Sequence, residues 1–407
     1  MTAPRTAATR AALPGADLDE RKAPGRTAAR RGDSSPAASS RTTASVCRDD
    51  EEFGALAAEW ADLCRRCRSA TPFQSHAWLH SWWLSYGGRG RLRVVLVRRD
   101  GLLVAAAPLW RVPGPVPVLA PLGGTLTDYC DVLVDDGCAE AVPALSGELA
   151  RLARTAVIDL REVRPGGAAE RVHAGWRGPR RALADSICLE LPALPVGELV
   201  DRLPASRRQR ARSKLRKLDK EGIEARPVPA AEVPRALRRL LELHQRQWAG
   251  RGVTAEHLSD RFAAHLERAV TAMAAAGEAR VTEFRMGGAV VAVDLTLLSP
   301  LLSGGYLYGA DPVLRSLKVD MATLLLRNGT RISAGSGRPV LSLLRGEEPY
   351  KHHWRPEPVT NRRLMLARRR TAPVLWLRAV YAGGRRWAAD RLRDRPWARR
   401  LRRGGGR

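Results

Sequence analysis

Residues Arg280–Leu297 read RVTEFRMGGAVVAVDLTL, and residues Arg93–Trp110 read RVVLVRRDGLLVAAAPLW. Each is an apolar run, a two-residue break and a second apolar run. The breaks, Asp100-Gly101 and Gly287-Gly288, are pairs that accept positive φ and so make the tight turn of a β-hairpin. Laid over each other at an offset of 187, the turns coincide and Val104-Ala105 falls on Val291-Ala292. The neighbourhoods repeat as well. A helix-rich stretch precedes each hairpin. A Tyr and an Asp near a further strand follow it, in TDYCDVLV (127–134) and GGYLYGADPVL (304–314). Helical patterns come next, AVPALSGELARLARTA (141–156) and SLKVDMATLLLRNGT (316–330), and then the strands VIDLREV (157–163) and PVLSLLRG (339–346). One order of elements met twice implies two similar α/β units in tandem, each with a mostly antiparallel sheet flanked by helices.

At 407 residues the chain is longer than a single core needs. Its first forty-five residues are Ala, Thr, Ser, Pro and Arg without an apolar period. They bury too little surface to offset the entropy of ordering, and disorder is expected. No apolar h-region follows the early arginines, and no run of about 18 apolar residues stands anywhere. Neither a secretory signal nor a membrane span is therefore expected, and the expected location is cytoplasmic. The formal charge is +27, and residues 362–407 supply about half of it, with sixteen Arg against two Asp. In PVLWLRAVYAGGRRWAADRLRDRPWARRLRR (373–403), Trp376, Tyr381, Trp387 and Trp397 interleave with arginine. That composition suits an amphipathic segment lying on an anionic membrane surface, peripheral at the inner face and broken at Gly383-Gly384. It argues less for nucleic acid, because the charge is concentrated in one tail.

Six cysteines without a regular framework fit a reducing compartment. Cys64 and Cys67 have ligand-like spacing but no second pair, and His76 and His80 lie i,i+4 without a third ligand, so no metal is expected. In the second half, residues 206–220 (SRRQRARSKLRKLDK) carry eight basic residues on a helical pattern that ends at Gly222. Helices are expected over 233–252 and over 254–277, the latter with Thr254 as N-cap. Asp294 interrupts the apolar run AVVAVDLTLL; a carboxylate inside a strand lies on a solvated face or in a cleft, where it would meet an acceptor amine. Tyr306 and Tyr308 alternate along the next strand and should face one side, with Tyr308 nearer the cleft end as a proton donor. RGEEPYKHHW (345–354) gathers acid, aromatic, lysine and histidine in ten residues. His352 and His353 are adjacent, so on a strand they point to opposite faces and cannot share a metal. Pro349 forces the residues after Arg345-Gly346 out of the strand ladder.

In chain order, TPFQSHAWLHSWW (71–83), RRQRARSKLRKLDKEG (207–222), QRQWAGRG (245–252), RVTEFRMGGAVVA (280–292), YLYGADP (306–312) and LLRGEEPYKHHWRP (343–356) resemble the CelD/BcsL family of acetyltransferases. That family has a BioF2-like acetyltransferase domain on the GNAT fold. It is similar in turn to the FemAB-type aminoacyltransferases, which carry two GNAT-like domains. The resemblance spans about residues 50–365 and is strongest over 195–355. It implies a disordered tail over 1–48, a GNAT-like domain over 49–190, a second, BioF2-like one over 191–365, and an Arg-rich amphipathic tail over 366–407. The implied reaction moves an acyl group from acyl-CoA, acetyl-CoA in the simplest case, to an amine or hydroxyl of a small or envelope-related acceptor.

The same resemblance selects further residues. Arg345, Glu347, Tyr350 and Lys351 match the family's RG-x-x-x-YK run and would contact substrate, with Tyr350 donating to a leaving thiolate or an oxyanion and Lys351 neutralising a phosphate or carboxylate. Arg315, Ser316 and Lys318 stand where the family has its phosphate-binding turn, with Ser316 as helix cap. Two departures stand out. No glycine occurs within 315–320, and Ser342 replaces the aspartate that the family places three residues before Arg-Gly. Two other readings follow. One is an aminoacyl-tRNA donor, to which the basic helix and tail would be suited. The other is a catalytically degenerate GNAT-fold binding protein held at a membrane.

Overall fold

The structure, a computed structural model, describes residues 41–248 and 255–393. The tail over 1–40, Thr254 and the last arginines lie outside the described residues. Strand β1 (Thr42–Cys47) leads into helices α1 (Asp50–Ala55), α2 (Ala57–Arg66) and α3 (His76–Tyr86). Strands β2 (Leu92–Arg99), β3 (Leu102–Arg111), β4 (Val118–Pro121) and β5 (Leu133–Val134) come next. Helix α4 (Ala141–Leu152), β6 (Val157–Val163), α5 (Ala168–Ala174) and β7 (Arg180–Pro192) complete the first half. The second half opens with α6 (Val196–Asp201), α7 (Ala205–Lys220), β8 (Glu224–Pro227), α8 (Val233–Trp248) and α9 (Asp260–Ala275). It continues with β9 (Ala279–Met286), β10 (Ala289–Leu298), β11 (Leu302–Ala310), α10 (Val313–Ser316) and α11 (Met321–Gly335). Strands β12 (Val340–Arg345) and β13 (Glu357–Leu366) and helix α12 (Ala372–Arg393) close it.

Both expected hairpins form, and they agree in detail. Asp100 and Gly101 have φ of 50° and 85°, and Gly287 and Gly288 of 53° and 80°. Two successive left-handed residues make the turn whose twist matches the strands. Each returning strand then slips register at a bulge, at Val104 in β3 and at Val291 in β10. These are the residues that the offset of 187 superposes. A second echo lies in β6 and β12, whose penultimate residues, Glu162 and Leu344, have φ of 54° and 57°. A side-chain-bearing residue held there costs about 1–2 kcal/mol, so its recurrence at matched places marks the same local geometry in both copies.

The strands form one continuous sheet, ordered β1-β2-β3-β4-β6-β13-β7-β12-β11-β10-β9-β8, with β5 paired to β3 off this path. Instead of standing as separate sheets, the two halves trade strands at the centre. β7, from the first half, pairs with β12, and β13, from the chain's end, pairs with β6 and with β7. Each exchanged strand covers an edge that would otherwise expose unpaired N–H and C=O groups. A cut between residues 190 and 191 would pass through β7. The edge strand β1 lies in the stretch read as disordered. It is short, only Cys47 of its six side chains is fully buried, and backbone pairing with β2, rather than an apolar pattern, sets it in place.

Alternation along the strands sorts side chains onto two faces. Val94 and Leu96 join a cluster with α1–α3, α8 and α9, and Val95 and Val97 join one with α4 and α5. On the first face both halves share a core, in which Phe73, Trp78 and Trp82 belong to the same cluster as Leu237, Phe262 and Leu266. Gly309 lets α8 lie directly on β11, because a Cβ there would stand 2.3 Å from the Leu240 carbonyl. Ser259 caps α9 by accepting from the Phe262 amide. On the other face Leu218 of α7 and Leu324 of α11 cover the second half. Leu375 and Ala379 of α12 pack against Val157 and Met365, which alternate with Ile158, Leu364 and Leu366 of the α4–α5 cluster and so point away from it. The expected break at Gly383-Gly384 is absent; α12 runs through both, since a glycine inside a helix costs about 1 kcal/mol and does not forbid it. No helix among the described residues is long and apolar enough to cross a membrane.

Candidate active site

β11 and β12 run parallel and pair only at Leu302–Val340, Ser303–Leu341 and Gly304–Ser342. β11 continues to Ala310 without its neighbour, and a cavity of about 340 Å³ opens in the gap beneath α11. Asp294, Tyr308, Arg345, Tyr350 and Lys351, all selected from sequence, line it together with Ser342 and, from the first half, Asp128. Glu347 lies outside the lining, where its neighbour Glu348 takes part. Arg315, Ser316 and Lys318 are exposed on the turn before α11 and do not line the cavity.

Asp294 on β10 is directly opposite Tyr308 on β11, so the two side chains share a face. Asp294 is 4% exposed and accepts from Asn328 Nδ2 at 3.1 Å and Thr296 Oγ1 at 3.2 Å. Burial raises its pKa to about 6 against the pull of those two donors. A carboxylate titrating near neutrality beside a cavity is suited to accept a proton. The Tyr308 hydroxyl accepts from Gln247 Nε2 at 3.0 Å, and burial raises its pKa, which keeps it a proton donor. Tyr306 does not share its face. A bulge between Leu295 and Thr296 leaves Tyr306 unpaired opposite β10 and breaks the alternation. Its ring packs against Phe73 and Trp78, and its hydroxyl donates to the Leu126 carbonyl at 3.1 Å.

The segment 345–354 is held from both halves. Arg345 donates to the Thr125 carbonyl at 2.7 Å and pairs with Asp128 at 3.0 Å and Glu162 at 3.4 Å. Burial nonetheless raises the Asp128 pKa, Arg345 opposing. Lys351 is 8% exposed; it donates to the Arg345 carbonyl at 3.0 Å and pairs with Glu348 at 2.8 Å, bracing the turn. Tyr350, 44% exposed, stands at the rim, and burial together with Glu348 keeps it protonated. Residues Lys351–Trp354 form a 3-10 turn rather than a strand, because Gly346, at φ 111°, and Pro349 end β12. His352 and His353 are exposed there. His76 is engaged by the Phe53 carbonyl at 2.7 Å, and burial raises the thiol pKa values of Cys64 and Cys67.

Sequence reasoning missed the groups behind Ser342. Its hydroxyl is buried 2.9 Å from the Tyr129 hydroxyl, which donates to Glu190 Oε1 at 2.8 Å. Arg164 holds Glu190 with two hydrogen bonds of 2.8 and 2.7 Å. Glu190 of β7 is directly opposite Ser342 of β12, so the exchanged strand brings a carboxylate beside the position where the family's aspartate is missing. Tyr129 stood in plain view within TDYCDVLV. Glu190 carried no signal, because nothing in the sequence announces the strand exchange.

The turn before α11 keeps a glycine-like shape without glycine: Lys318 itself adopts φ of 53°. Ser316 does not cap the helix; its hydroxyl donates to the Val313 carbonyl at 2.7 Å. Asp320 is the cap, accepting from the Thr323 amide at 2.8 Å and pairing with Lys214 of α7 at 2.6 Å. A carboxylate thus occupies the helix start that would otherwise favour a phosphate.

The site is thus a sheet parted between two parallel strands, with a helix over the gap and a buried carboxylate lining it. Residues 205–352 match the family model described as "Acetyltransferase (GNAT) domain". Residues 205–352 therefore carry a GNAT domain, and the resemblance drawn from the motifs in that stretch is borne out. Among solved structures the chain is similar to FemX, with 11% identity, a TM-score of 0.55, and 80% of this chain and 96% of that one covered. A conserved protein of unknown function from Bacteroides thetaiotaomicron aligns at 12% identity and a TM-score of 0.54, with 80% of this chain and all of that one covered. A C-terminal DUF2156 domain from Agrobacterium fabrum gives 12%, 0.51, 82% and 96% respectively. At these identities the likeness concerns fold, and it extends over both halves. No curated protein matches the sequence.

Proposed function

We propose that the cleft between β11 and β12 transfers an acyl group from acyl-CoA to an amine or hydroxyl of a small or envelope-related acceptor. The observation that carries this is the pairing of Asp294 with Tyr308 across β10 and β11 inside the cavity. Asp294 takes the acceptor's proton as its nitrogen or oxygen attacks the thioester carbonyl. The C–S bond then breaks, and the departing thiolate takes a proton from the Tyr308 hydroxyl. Tyr350 at the rim and the brace Lys351–Glu348 shape the entrance, and Asp128 of the first half lines the acceptor side. A thermal shift series with acetyl-CoA and longer acyl-CoAs tests the donor. A rise of several degrees with at least one is expected, and no rise across the series would refute the reading.

One observation favours a second donor. Asp320 fills the helix start where a pyrophosphate would bind, and the adjoining α7 exposes much of its basic face. An aminoacyl-tRNA delivers its ester-linked acyl group without a phosphate at that position. RNA that stays with the purified protein through moderate salt would support it.

A further inference from the structure

Among its described residues helix α12 has a buried side and a largely exposed one. Leu375 and Ala379 are buried against the sheet, while Trp376, Leu377, Val380 and Tyr381 are 48%, 64%, 73% and 65% exposed. These four make up an apolar strip spanning almost two turns, with a spacing of one and four residues that keeps them on one side. They account for nearly half of the large hydrophobic side chains that the described surface exposes. At the foot of the same helix lies a depression of about 650 Å³ lined by Arg154, Arg177, Arg368, Arg369 and Arg370, with Gly178 and Pro179. Among the described residues no carboxylate pairs with any of these five arginines. The one polar engagement they share is internal, Arg368 Nη1 donating to the Arg177 carbonyl at 2.8 Å. Arg181 stands over the Trp376 ring at 6.0 Å and extends the charge toward the apolar strip.

Like-charged guanidinium groups gathered without counter-ions are held apart only by water and salt, and they gain from any surface of fixed negative charge. An apolar strip with Trp and Tyr gains from a medium that takes its rings while leaving their polar edges wet. A membrane interface offers both at once. A soluble polyanion would satisfy the arginines and leave Leu377 and Val380 in water. We propose that α12 and the arginine depression at its foot form a docking surface for a bilayer containing anionic phospholipid. The strip enters the interfacial layer and the depression takes phosphate headgroups. This surface is separate from the cleft between β11 and β12, and its test reads binding rather than turnover.

The full chain is sedimented with vesicles of phosphatidylcholine alone and with vesicles containing about a third phosphatidylglycerol. Binding to the second but not the first is expected. Each arginine close to such a surface changes partition about fivefold, so R368Q/R369Q/R370Q should weaken binding about a hundredfold. L377S/V380S should weaken it at least tenfold with an unchanged melting temperature, since both side chains already face water. Equal binding to both vesicle types, or full binding by L377S/V380S, would overturn the proposal. So would displacement from anionic vesicles by RNA that wild type and L377S/V380S bind alike, which would give the arginines to a nucleic acid instead. Inorganic phosphate at millimolar concentration should leave vesicle binding almost intact; complete release would reduce the site to one for free phosphate and refute docking.

Discussion

Replacing Asp294 by Asn separates what the carboxylate does for catalysis from what it does to stability. Holding a carboxyl at a pKa of about 6 in place of its ordinary 3.8 disfavours the ionised folded state by about 3 kcal/mol, at about 1.4 kcal/mol per pH unit. The sign follows from proton binding. The folded state holds the proton more tightly than the unfolded chain, so this group costs nothing below pH 4. The penalty grows as pH rises toward 6 and is constant beyond. Asn keeps the shape and, through Oδ1, can still accept from Asn328 and Thr296, but it never ionises. Urea unfolding at pH 4 should therefore find wild type and Asp294→Asn about equally stable, and at pH 8 the variant more stable by about 2–3 kcal/mol. In a thiol-release assay the variant should lose about 10²–10⁴ in kcat/KM. Wild-type kcat/KM should climb with pH and level off above about 6. A stability difference independent of pH would refute the buried, ionising carboxylate, and undiminished turnover by the more stable variant would remove Asp294 from the chemistry.

Three further outcomes can be measured. Tyr308→Phe removes the proton donor to the leaving group and leaves the ring packed, so kcat should fall about 10–100-fold with KM little changed; an altered KM alone would make Tyr308 a binding residue. Lys318→Gly relieves the left-handed strain and should stabilise the fold by about 1 kcal/mol in chemical denaturation, while raising KM for acyl-CoA if the lysine charge meets its phosphates. Glu190→Ala strands the Arg164 guanidinium, leaves the Tyr129 hydroxyl only Ser342 as a partner, and should cost on the order of 3 kcal/mol. Adding Arg164→Met should recover part of that loss, and strict additivity would deny the coupling.

What could be read from sequence, and what could not, divides along the range of the forces involved. The hairpin turns at Asp100-Gly101 and Gly287-Gly288 are local events, written in residues that tolerate positive φ, and they reappear in the structure down to the matched bulges at Val104 and Val291. The placement of Asp294 was legible because a lone carboxylate in an apolar strand costs too much to sit anywhere but a lined cavity or open water. Tyr306 and Tyr308 do not share the side that strict alternation gives them for one reason: a bulge inserts Tyr306 as a single extra residue, directly after Gly304-Gly305, the pair that could have announced it. The turn before α11 has no glycine, yet Lys318 adopts the left-handed backbone that glycine favours, since a penalty of about 1 kcal/mol is small beside the packing that fixes the turn. Glu190 lay beyond reach altogether. Its place beside Ser342 depends on β7 crossing to the other half of the sheet, a choice set by which open edge each strand can cover and not by any residue within the strand. If the two copies arose from one ancestral unit, that crossing has a consequence: a chain cut between β7 and α6 would leave the second half without the strand that brings Glu190 and closes the β12 edge. A fragment beginning at Val196 should then fail to fold as a monomer, whereas one beginning at Arg180 keeps both, and a cooperative melt from the shorter fragment would show that the exchanged strand is dispensable.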